Sequence, residues 1–124
     1  MRFVLEFPGS ELAELVREGD GVRLRLAVAA VRNEGGDRGW LTGVTIVMTA
    51  ASLHGDTAAA FGRIAQAGLR HETRSVAAVD VPGQLSGDIE LALGLANCTR
   101  FVIRGYALET TLAPASRFTE DFSC

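Results

Sequence analysis

A chain of 124 residues with 48% hydrophobic side chains fits one domain with a sizeable core. A formal net charge of −3, with all 12 basic residues arginine, excludes a protein whose affinity comes mainly from neutralising phosphates, and no apolar run approaches the roughly 20 residues of a membrane-spanning helix. At the N-terminus an alternating stretch breaks at Pro8 and Gly9 instead of forming the apolar core of a signal peptide, so the expected setting is cytoplasmic, with Cys98 and Cys124 reduced.

Residues 2–7, RFVLEF, place Phe3, Leu5 and Phe7 on one side, which predicts a strand with one buried face. The following PGSELAELVREG changes period. Leu12, Leu15 and Val16 share a helical stripe, Ser10 is positioned to cap a first turn and Gly19 to stop it, so a short helix is expected near 11–18. From Val22 to Ala30 the period returns to two, RNEGGDRG supplies a turn, and WLTGVTIVMT runs back, so residues 22–50 read as one large hairpin. The segment 53–62 reads as a loop, while the alanines of DTAAAFGRIAQA leave 57–67 open between helix and strand.

Strands at 63–70 and 75–81 precede the breaker VPGQLSG. Ile89, Leu91, Leu93 and Leu95 then alternate, Asn97 and Cys98 occupy the centre of a turn, and a returning strand runs from Thr99 to about Glu109. Asn suits a turn position with positive φ; Cys does not, because its β carbon resists that angle. A hairpin is therefore expected there without a definite turn type. Residues 114–124 lose the two-residue period and read as a tail behind a single domain of 1–113. About seven or eight strands with one small helix predict an all-β fold, either an antiparallel β-sandwich or a jelly-roll-like barrel.

Chemistry-bearing residues are sparse. His54 with Asp56 and His71 with Glu72 supply the ligand types of a two-histidine, one-carboxylate metal site, yet each histidine stands alone without H-x-H or H-x-x-x-H spacing. They read as loop residues near strand ends, and no metal or cofactor is expected. Cys98 lacks a base placed by sequence, Ser86 in GQLSG lacks a nucleophile elbow, and the glycines form neither a Walker loop nor a dinucleotide fingerprint. Arg23, Arg25, Arg32, Arg100 and Arg104 fall on the outward side of predicted strands, as a basic stripe if those strands adjoin or as a solvated face if they do not. An aromatic content of 6% offers little for stacking on single-stranded nucleic acid.

What remains points to association. Trp40 and Tyr106, with Arg104 beside the latter, are candidate anchors for a partner, and Phe118 and Phe122, four apart in the tail, would share one side of a helical turn. The alternative for the tail is that it docks on its own domain. The expected function is a non-enzymatic protein-interaction or accessory domain, self-associating or binding a protein partner, without nucleic acid or membrane. A second reading is a barrel carrying a small apolar ligand among Leu24, Leu26, Ile46, Leu91, Leu93 and Ile103; a third is a metal-dependent hydrolase using His54 and His71.

Overall fold

The computed structural model describes residues 2–121. The backbone forms strands β1 (Phe3–Glu18), β2 (Gly21–Arg32), β3 (Arg38–Leu41), β4 (Val44–Thr49), β5 (Ser52–Gly55), β6 (Gly62–His71), β7 (Arg74–Val76), β8 (Val79–Val81), β9 (Gly83–Leu95), β10 (Arg100–Leu112) and β11 (Phe118–Glu120), with no helix among the described residues. Hydrogen-bonded neighbours run β2-β4-β10-β9-β6-β1, and β1 pairs back onto β2, so six strands close an antiparallel barrel. Of the two expected architectures, the barrel is the one formed. Closure leaves the apolar side of every long strand facing one interior, where Leu5, Leu24, Ile46, Leu91 and Ile103 are each 0% exposed. The shorter strands flank the barrel: β3 and β11 beyond β2, β8 on β1, β5 on β10 and β7 on β6. Among the described residues eleven strands appear where seven or eight were expected, because elements of three or four residues are too short to reveal a period.

The helix expected near 11–18 is replaced by the second half of β1. Its residues pair with β2 from Glu11↔Val28 to Glu18↔Gly21 across the two-residue connection Gly19–Asp20, whose glycine supplies a positive φ of 61°. A two-turn helix depends on tertiary packing, and here the packing offered is the open edge of β2. Ser10 is no helix cap. It lies at the point where β1 steps out of register with β2, between Glu6↔Ala30 and Glu11↔Val28. There its buried hydroxyl donates to the Glu6 carbonyl at 2.8 Å and accepts from the Ala30 amide at 2.9 Å. Pro8 and Gly9 make the excursion that leaves those two backbone groups without ladder partners, and Ser10 satisfies both.

The hairpin expected over 22–50 is present, with a break at Thr42 and Gly43 that divides its return into β3 and β4, both paired with β2. Residues 56–61 form a loop opened by Asp56, whose carboxylate accepts from the Ala58 amide, and β6 begins at Gly62. The tail docks on its own domain. Phe118–Glu120 pairs with Leu41–Gly39, and the Phe118 ring lies 5.3 Å from that of Phe3 and against the bare Cα of Gly39. The helical turn that would have offered Phe118 outward is thus a strand spent on internal packing; Phe122 and Cys124 lie outside the described residues.

The β9–β10 hairpin turns through Ala96, Asn97 and Cys98. The Cys98 amide donates to the Leu95 carbonyl and the Leu95 amide to the Thr99 carbonyl, the pattern of a three-residue connection ending in the left-handed region. Cys98 stands at φ 70° in the position that favours glycine. Replacing Cys98 with Gly is expected to raise stability by about 0.5–1 kcal/mol, the left-handed penalty less glycine's added chain entropy, read as a higher midpoint in urea at unchanged m-value.

The barrel's closing seam, between β1 and β6, is its narrowest. Only Glu11↔Arg63 and Leu12↔Gly62 pair across it. Farther along, β7 pairs with β6 and β8 with β1, wedging the two strands apart around a bay of about 560 Å³ bordered by Phe7, Pro8, Gly68, Arg70 and Val76.

Candidate functional site

The strand registers arrange the outward side chains of β6, β9, β10 and β5 in rows. Gln66, Gly94 and Arg100 make the first, Gly68, Ala92, Val102 and His54 the second, and Arg70, Glu90, Arg104 and Ser52 the third. Tyr106, 62% exposed, lies two residues beyond Arg104 on β10, where β9 and β10 step out of register between Gly105 and Ala107. The first two rows carry almost no side-chain bulk at their centre. Gly68, Ala92, Gly94 and Val102 floor a hollow of about 610 Å³ whose rim is set by His54, Gln66 and Arg100.

Of the three glycines lining this hollow, Gly55, Gly68 and Gly94, the last two are not demanded by the fold. Neither Gly68 nor Gly94 has a positive φ, a β carbon on Gly68 would meet nothing within 4 Å, and one on Gly94 would make only ordinary contacts with Gln66 and Arg100. Mid-strand glycine weakens a strand and often marks a place where another group approaches the backbone. Gly21 and Gly55 differ, because a β carbon there would strike backbone atoms of Met48 and Arg100 at 2.7 Å. Those two glycines serve internal packing; Gly68 and Gly94 serve the surface.

Beyond the hollow, Arg70, Asp88, Glu90 and Arg104 line a second depression. Arg104 Nε lies 3.2 Å from Glu90 Oε2. This band holds two cations and two carboxylates, so its formal charge balances. All of these groups are solvated, and the Arg104–Glu90 pair contributes at most about 1 kcal/mol to stability.

The structure brings Arg104 and Tyr106 together on this wall and leaves Trp40 elsewhere, on β3 between Ala30 and Thr119, 37% exposed. The five arginines do not form one stripe, since β4 separates β2 from β10. Arg23 pairs with Glu14 and Glu18, Arg25 with Glu14 and Arg32 with Glu6, as solvated ion pairs on the β1–β2 face.

The two histidines are not gathered. His54 Nε2 lies 2.9 Å from Ser52 Oγ, and His71 Nε2 lies 2.6 Å from the Ser86 carbonyl. The strand order puts β10 and β9 between their strands, a separation of about 14 Å or more at ordinary strand spacing. Among the described residues no group of three or more His, Cys, Asp and Glu side chains is placed to hold a metal ion. Cys98 is a free, exposed thiol in the β9–β10 turn.

The hollow itself was missed in the sequence. Its signal is faint: single glycines inside otherwise regular strands, in AQAGLR and LALGLA. Comparison with protein-family models, curated proteins and solved structures finds no match to this chain. No described helix is long and apolar enough to cross a membrane.

Proposed function

We propose that this chain is a non-enzymatic association domain that binds a protein through the outer wall of β6, β9 and β10. The observation that carries the reading is the hollow over Gly68, Ala92 and Gly94, whose two mid-strand glycines the fold does not require, on the same wall as the exposed Tyr106. Shape of this kind, with an aromatic anchor and charges at the rim, is the usual anatomy of a protein interface.

A carrier would need room inside the barrel, but Leu24, Leu26, Ile46, Leu91, Leu93 and Ile103 all lie in the packed core, each no more than 3% exposed. That favours association over transport. The metal-dependent hydrolase has no gathered ligand set among the described residues to support it.

Ala92→Arg fills the hollow from its floor while its side chain points to solvent, so the melting temperature is expected to stay within about 2 °C of the parent. The parent and this variant are compared by co-purification from the native cell. Loss of the retained protein on Ala92→Arg, with folding intact, supports the wall as the binding face; equal retention by both proteins refutes it.

A further inference from the structure

The charge in the hollow has one sign. Among the described residues its lining holds a single cation, Arg100, with the polar side chains of Gln66 and His54 and no carboxylate. Arg23, Arg25, Arg32 and Arg104 each meet a glutamate on the neighbouring strand. Arg100 faces Gly94 there instead. Gln66 flanks Gly94 on the other side, and a β carbon on that glycine would lie 3.8 Å from Gln66 Oε1 and 3.9 Å from Arg100 Cγ, so both side chains run past a bare Cα. Among the described residues the Arg100 and Gln66 side chains take part in no ion pair or hydrogen bond. Asp56, the carboxylate next in sequence to the lining, is turned to the amide of Ala58.

Two residues along the strands, about 7 Å from the Arg100 row, lies the floor of Gly68, Ala92 and Val102. His54 closes it on β5, held by Ser52 Oγ at 2.9 Å. Extended backbone without bulky side chains lets a ring lie face down on it. The volume of about 610 Å³ falls within the roughly 300–1,000 Å³ of small-molecule sites, which combine an apolar surface with a few polar groups. One guanidinium fork matches the two oxygens of a carboxylate, whereas a doubly charged phosphate would find only half its charge answered.

We infer that the hollow binds a small aromatic carboxylate, its anionic end held by Arg100 and the Gln66 amide and its rings laid over Gly68 and Ala92. The inference goes beyond the association reading and does not need it. A protein seated on the wall would compete with the ligand for the same floor.

The test is titration of the labelled protein with 2-naphthoate, followed through the amide NMR shifts of Gly68, Ala92 and Gly94. A saturable shift with a dissociation constant of about 1 mM is expected, the ordinary efficiency for a ligand of that size. Acetate, which has the charge without the rings, should give no saturation below about 50 mM. Arg100→Gln should weaken 2-naphthoate about fivefold, as befits a solvated ion pair, and Gly68→Val should abolish binding by filling the floor. Arg100 has no ion pair to lose and Gly68 has open space for a side chain, so neither variant should melt more than about 2 °C below the parent.

Adventitious sticking of the rings would survive Arg100→Gln, and general attraction of anions would appear with acetate. Either result overturns the inference, as does the lack of a saturable shift up to about 10 mM 2-naphthoate or binding indifferent to Gly68→Val. Co-purification with Ala92→Arg decides the association reading separately: a parent that ignores 2-naphthoate yet retains a cellular protein released by Ala92→Arg loses the ligand and keeps the association.

Discussion

Leu91→Ala is expected to destabilise the protein by about 2–5 kcal/mol, a large share of the 5–15 kcal/mol that holds most domains folded. Leu91 is 0% exposed at the middle of β9, between Leu69 on β6 and Ile103 on β10. A side chain in that position is flanked by the two neighbouring strands, which cannot collapse far to fill a void because the ladders hold them at their spacing. The loss should appear as a lower denaturant midpoint at unchanged m-value. The same variant separates a packed core from a carrier's chamber: if the interior were shaped to hold a ligand, shortening one lining leucine would enlarge the chamber at little cost, and a loss below about 1 kcal/mol would speak for transport.

Ser10→Ala ranks next, at about 2–3 kcal/mol from the deletion of a single oxygen atom. The hydroxyl bridges the Glu6 carbonyl and the Ala30 amide where Pro8 and Gly9 carry β1 out of register, and each buried backbone group left unpaired costs about 1–3 kcal/mol. Replacement of an ordinary exposed serine would change stability by less than about 0.5 kcal/mol. Urea denaturation of the variant decides the matter: a shift of the midpoint too small to distinguish from the parent would mean that water takes over both backbone groups and that the bridge has no structural weight.

Much of the barrel was legible because its long strands carry one-sided alternation. Ile89, Leu91, Leu93 and Leu95 are all buried in β9 as their spacing predicted, and Val22, Leu24 and Leu26 in β2 likewise. The stretch from Glu11 to Glu18 was misread because Leu12, Leu15 and Val16 satisfy a helical stripe while an edge of β2 waits to be paired, and only the tertiary partner distinguishes the two outcomes. Closure was beyond reach for a related reason: whether β1 returns to β6 depends on two residue pairs with no sequence signature. The wall was half legible. Arg104 and Tyr106 stand out by type and register, but the hollow beside them is made of residues whose importance lies in what they lack, drawn from β6, β9 and β10 and joined only by register.

The two-pair seam between β1 and β6 has a consequence for how the barrel breathes. Every other junction of the ring is longer, and β1–β2 and β9–β10 are joined by short turns as well as by hydrogen bonds. Thermal opening of the ring therefore begins where Glu11 meets Arg63. The first excursion unclasps the cylinder into a curled ribbon with its remaining ladders intact, wetting Leu12 and Ile64 before Ile46 or Ile103 meets water.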